Sequence, residues 1–113
     1  MVNYTAESVA ETAAKMEKAG VAPRIMIDFS HANSCKDYKR QAAVCHDVAG
    51  QIAAGDKRIQ GVMIESNLVA GAQPLVPGQP LVYGQSITDG CIDWAETRTL
   101  LAELAAAVRA RRG

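Results

Sequence analysis

Two short apolar runs, "RIMIDF" at residues 24–29 and "IQGVMIE" at 59–65, do most to limit what this chain can become. Each is almost continuously apolar rather than alternating, the pattern of a strand buried on both faces in a parallel sheet. A parallel pair cannot be joined by a tight turn and needs a crossover of a dozen or more residues. Residues 36–54 meet that need with helical period: Tyr38, Ala42, Cys45, Val48, Ala49 and Ile52 form an apolar stripe, and Gly55 follows as a stop.

Two further segments have the same period. Residues 5–19 place Val9, Ala13 and Met16 on one face, with Ser8 and Glu11 at capping-box spacing, and Gly20 and Pro23 end the run. Residues 93–112 carry the stripe Leu100, Leu101, Leu104 and Val108 behind the acidic capping pair Asp93 and Glu96. Trp94 is expected to pack at the start of this helix, and the basic ending "RARRG" complements the negative end of its dipole. The order is helix, strand, helix, strand, long loop, helix, which implies the α/β class with parallel strands. A flavodoxin-like or receiver-like domain would suit the length, but such folds need about five strands and only two are present.

The connection over 66–92 is far longer than the usual strand-to-helix loop of about 2–6 residues. It contains Pro74, Pro77 and Pro80, yet also Leu75, Leu81, Val82, Tyr83 and Ile87, so an ordered functional loop is expected rather than a floppy linker.

Charge and cysteine usage exclude several classes. Twelve basic and twelve acidic residues cancel, which leaves no electrostatic case for a nucleic-acid or anionic-membrane partner. No apolar run approaches the roughly 20 residues of a membrane span. The opening "MVNYTAESVAE" has no apolar signal core. Cys35, Cys45 and Cys91 are odd in number and form no C-x-x-C pair, which suits a reducing, cytoplasmic setting.

Chemistry gathers where the strands end. The first run exits into Asp28-Phe29-Ser30-His31, the second reaches Glu65, and the long loop delivers Asp89 shortly before the last helix. In α/β folds ligands bind at the carboxyl ends of strands. An imidazole and two carboxylates meeting there would suit a borderline divalent metal such as manganese, iron or zinc. Spacing does not decide this. The alternative is that His31 caps a helix or bonds a carbonyl while Glu65 and Asp89 are merely solvated. Cys35 and Cys91 flank the place, and each is read more readily as a small buried residue than as a thiolate ligand. Cys45 belongs to the apolar stripe and His46 to the exposed side of its helix. Ser30 beside His31 is no catalytic pair on adjacency alone.

Three ordered blocks, "IMIDFSHANSCKDYKRQ", "IQGVMIESNLVAGAQPL" and "LVYGQSITDGCIDWAET", resemble the closing motifs of the 3-deoxy-D-arabino-heptulosonate 7-phosphate (DAHP) synthases of the bacterial aromatic-feedback, class I type. The likeness runs from about residue 3 to the end of the chain. It implies a TIM barrel of which these residues would form the C-terminal part: the last two strand–helix units and the helix before them. It also implies the family's reaction, the condensation of phosphoenolpyruvate with erythrose 4-phosphate that opens the shikimate route to aromatic amino acids. His31 in "DFSHANS", Glu65 in "MIES" and Asp89 in "SITDGC" match the family's metal ligands for a divalent manganese, iron, zinc or cobalt ion, and Asp89 is also placed to touch the aldose.

The departures are equally specific. The family's fourth ligand is a cysteine on the first strand, and its substrate phosphates are held by a Lys-Pro-Arg segment and other basic residues; nothing in this chain matches them. Asn67 stands where the family usually has histidine, Ala70 replaces an acidic residue, Ala72 an asparagine, Asp93 a small residue and Cys35 a serine. The expectation is a C-terminal fragment of a synthase barrel over residues 1–113, without turnover on its own and prone to self-association or to packing with the rest of a barrel. The other reading is a non-catalytic remnant that binds metal or acts as an interaction fragment.

Overall fold

The computed structural model describes residues 1–113. Helix α1 (Ala6–Lys18) leads into strand β1 (Ile25–Asp28); two 3-10 turns, His31–Ser34 and Tyr38–Arg40, precede helix α2 (Gln41–Ala53); strand β2 (Ile59–Met63) and helix α3 (Trp94–Arg112) complete the order. The architecture is α/β, with two parallel strands and three helices. Ile25 pairs with Ile59, Ile27 with Val62 and Asp28 with Met63. The ladder continues one residue further, where the Phe29 N–H donates to the Met63 carbonyl at 2.9 Å.

The helices cover one face of this ribbon. Phe29 and Ile59 from the strands meet Val44, Val48 and Ile52 of α2, Leu100 and Leu104 of α3, and Ile92 of the loop. The other face is open: Met26 is 67% exposed, whereas Ile27 is 4% exposed. This corrects the expectation of strands buried on both faces, because two strands with helices on one side leave nothing to cover the side that Met26 shares with Gly61. The shape reflects the same shortage. The radius of gyration is 16.2 Å, against about 13 Å for a compact domain of this size. The accessible surface is 7152 Å², where a compact monomer of this mass has about 6,000 Å².

Helix boundaries differ in detail from the sequence reading. The N-cap of α1 is Thr5, whose hydroxyl accepts from the Ser8 N–H at 3.2 Å, so Ser8 is the third residue of the helix rather than its cap. The middle helix begins at Gln41, not 36, because Cys35 and Lys36 adopt left-handed backbone (φ 55° and 60°) that no α-helix continues. Asp93 does cap α3, accepting from the Glu96 N–H at 2.9 Å. Trp94, expected to pack, is 51% exposed, and Leu101 of the expected stripe is 47% exposed. The basic ending does more than face the dipole: the Arg111 guanidinium donates to the carbonyls of Asp56 and Ile59, both at 2.9 Å, tying the end of α3 to the start of β2. No helix is long and apolar enough to cross a membrane.

The segment 66–92 is tied down without regular structure. Ser66 bridges Ile92, Gly71 bridges Cys91 and Ala72 bridges Ser86, which folds the segment back on itself. Gly84 permits the tightest approach: its φ is +80°, and a β-carbon there would lie 2.8 Å from that of Leu68. Leu75, Val82, Tyr83 and Ile87 nevertheless remain exposed.

Candidate metal centre at the strand ends

Asp28 is the last residue of β1, and its carboxylate organises the turn that follows. One oxygen accepts from the Ser30 N–H at 2.7 Å and from the Ser30 hydroxyl at 2.5 Å. The other stands 2.8 Å from His31 Nδ1. Because this oxygen can only accept, Nδ1 carries the proton and Nε2 keeps its lone pair. His31 itself has φ 52°, a left-handed conformation unusual for a non-glycine residue. The turn holds it there: its carbonyl accepts from the Lys36 N–H at 2.8 Å and from the Ser34 hydroxyl at 3.2 Å.

Nε2 faces two carboxylates. Glu65 Oε2 lies 3.8 Å away and Asp89 Oδ2 3.4 Å away. One donor atom from each of His31, Glu65 and Asp89 falls within 4.8 Å of the others. The three residues thus come together from a strand exit, the run just beyond β2 and a loop tip. They line a cleft of about 260 Å³ with Ser34, Lys36, Tyr38 and Gly90.

Electrostatics follow from the geometry. Burial on its own would raise the Asp28 pKa, but hydrogen bonds from Ser30 and His31 hold it below the usual value. The bond to Asp28, then its charge and that of Glu65, raise the His31 pKa. Glu65 is raised by burial and by the neighbouring Asp89 charge, with His31 opposing. Two carboxylates turned toward each other are unfavourable unless a cation or a proton joins them.

The thiols separate. Cys45 is fully buried in the core, as expected, and burial together with the Glu103 charge pushes its pKa up to about 12. Cys91 is buried, and burial and the Glu65 charge raise its pKa. Cys35, expected to be a small buried residue, is exposed; the left-handed turn at 35–36 swings it outward. Neither Cys35 nor Cys91 joins the donor cluster. His46 is exposed and meets Glu103 of α3. The sequence placed Asp28 at the strand exit, but its role in orienting the imidazole is seen only in the structure. The contact of Gln41 with Glu65, described below, had no sequence signal, since it joins residues on separate elements.

A parallel α/β ribbon whose strand ends gather an imidazole and two carboxylates belongs to the class of folds that bind ligands at the carboxyl edge of the sheet. Residues 1–102 match the DAHP synthetase I family, and the chain belongs to that family. It is 58% identical over 111 residues to the Phe-sensitive phospho-2-dehydro-3-deoxyheptonate aldolase of Escherichia coli K12, covering 98% of this chain and 32% of that protein. It is 51% identical over 114 residues to the tyrosine-inhibited enzyme of Schizosaccharomyces pombe, covering 97% of this chain and 31% of that one. Among solved structures, the phospho-2-dehydro-3-deoxyheptonate aldolase of Francisella tularensis SCHU S4 superposes with a TM-score of 0.93 at 49% identity, over 98% of this chain and 32% of that one. The chain therefore spans about a third of the length of the relatives it matches.

Proposed function

We propose that this chain forms the last two strand–helix units of a 3-deoxy-7-phosphoheptulonate synthase barrel and that His31, Glu65 and Asp89 hold its divalent metal ion. The observation that supports this most directly is the convergence of the three donor atoms within 4.8 Å. The donor set suits the ion. Nε2 is a free imidazole lone pair backed by a carboxylate, an arrangement common to metal-bound histidines. The two carboxylates that otherwise repel would share the charge of a manganese, iron, zinc or cobalt ion. Three protein donors are one short of the family's set, whose fourth, a cysteine, would come from the rest of the barrel.

In the reading carried by the family, the substrates are phosphoenolpyruvate and erythrose 4-phosphate and the reaction is their aldol-type condensation. The chemistry such an ion supplies is Lewis-acid polarisation of the aldehyde oxygen. The chain's own residues orient and bind. Asp28 fixes the imidazole ring, Glu65 closes the inner side, and the exposed Asp89 would meet the aldose. The open sheet face and the exposed side chains of 66–92 would pack against the remaining barrel, or against another copy of the chain.

The test is a titration with manganese, followed by addition of both substrates. Binding that disappears in His31→Ala supports the metal centre; binding in that variant equal to wild type refutes it. Heptulosonate phosphate formed by the purified 113-residue chain would overturn the view that these residues need the rest of a barrel. Binding without turnover is also what a non-catalytic remnant would give. Restored turnover on mixing with the remaining part of a family synthase separates the two.

A further inference from the structure

We propose that Gln41 is a positioning residue for the metal centre, acting through the main chain of Glu65; the inference rests on the reading of His31, Glu65 and Asp89 as metal ligands. Gln41 opens α2 and is 0% exposed. Its side-chain N–H donates to the Glu65 carbonyl at 3.0 Å, and its side-chain oxygen accepts from the Glu65 N–H at 2.9 Å. Both main-chain groups of one residue are thus held by one amide, as a neighbouring strand would hold them.

Glu65 needs such a hold. β2 ends at Met63, and the last bond of the parallel ladder is the one from Phe29 to the Met63 carbonyl. Beyond it no strand fixes the direction in which Glu65 projects. The only other main-chain bond is the Ile92 N–H donating to the Glu65 carbonyl at 3.0 Å. Glu65 must also point toward a like charge on Asp89, and an unanchored residue would swing away from it. The same turn bears on the second carboxylate. The Tyr38 ring lies so close over Gly90, next to Asp89, that a β-carbon on Gly90 would be 2.5 Å from it. Gln41 and Tyr38, from the start of α2 and the 3-10 turn just before it, thus touch the segments that carry both carboxylates.

The experiment measures manganese affinity by electron paramagnetic resonance of the free ion, on the full chain, with circular dichroism to verify folding. Gln41→Met keeps the volume and removes both bonds. Val48→Ala loosens the same helix from a buried position about two turns further along. The expected result is a loss of about tenfold or more in Gln41→Met, the range seen for partners that orient metal ligands, with Val48→Ala unchanged. Should Gln41→Met fail to fold, Gln41→Asn, which withdraws the amide by one methylene, is expected to show the same loss. Affinity in the Gln41 variant equal to wild type overturns the assignment, as does an equal loss in Val48→Ala. A wild-type chain that binds no manganese overturns the metal reading itself and the assignment with it. That outcome is distinct because all the proteins then behave alike.

Discussion

Asp28 and His31 are joined side chain to side chain at 2.8 Å across the turn that ends β1, and the second Asp28 oxygen is already taken by both donors of Ser30. This division of labour decides which imidazole nitrogen is free. In Asp28→Asn the Ser30 donors would keep the amide oxygen, and the NH₂ would face Nδ1. The proton would then move to Nε2 and block the lone pair. Manganese affinity is expected to fall about tenfold to a hundredfold while the far-ultraviolet circular dichroism stays unchanged, and titration of that variant checks it.

Phe29 is 0% exposed in a hydrophobic core of only 13 buried residues. Phe29→Ala removes about 3–5 kcal/mol of packing. A chain with so thin a core has no such margin, so the variant is expected to be unfolded at room temperature by circular dichroism. Retention of the wild-type spectrum would show that the core is deeper than one sheet face.

The three thiols should react at different rates. Cys35 is exposed, while Cys45 and Cys91 are buried, and the Cys45 pKa of about 12 keeps it protonated at any ordinary pH. Thiolate is the reactive form. A disulfide reagent at pH 8 is expected to modify a single residue, Cys35, quickly in the folded chain and all three after denaturation. Peptide mapping identifies the site.

Asp56 gives a pH dependence of known sign. Its carboxylate is bound by the Arg58 guanidinium at 2.9 Å. That bond outweighs burial and holds the Asp56 pKa below 3.8. A lowered folded-state pKa contributes stability above the unfolded value and loses it as pH falls through the folded one. Asp56→Asn is therefore expected to melt at a lower temperature than wild type at neutral pH. The difference should vanish in acid well below pH 3.8. A difference that persists there would show that packing, not charge, holds the turn.

The exposed Met26, Leu75, Val82 and Tyr83 leave apolar surface in contact with water, and β1 and β2 each keep one unpaired edge. Such surfaces favour association. Sedimentation velocity of the isolated chain is expected to show species larger than the monomer that grow with concentration. A sharp monomer that melts cooperatively at high temperature would contradict this.

Much of this was legible because local signals act over a few residues. The order of helices and strands followed from apolar period, and Cys45 was placed in the core by its stripe. The misplacements share a cause. Trp94 and Leu101 sit at helical positions that would be buried if another element lay against them, and none does. The middle helix could not be started correctly because a left-handed pair at Cys35 and Lys36 carries no glycine to announce it.

The sequence by itself determined the parallel α/β class and the chemical types available at the strand exits, since hydrophobic period and side-chain identity are properties of single segments. Only the tertiary structure decided that His31, Glu65 and Asp89 share one cleft, that Asp28 leaves Nε2 free, and that Gln41 grips Glu65. The first and last of those relations join residues 24 and more positions apart, and distance in space between separate elements is set by how they pack, not by anything either segment carries alone; the second is a turn geometry, set by how the chain leaves β1.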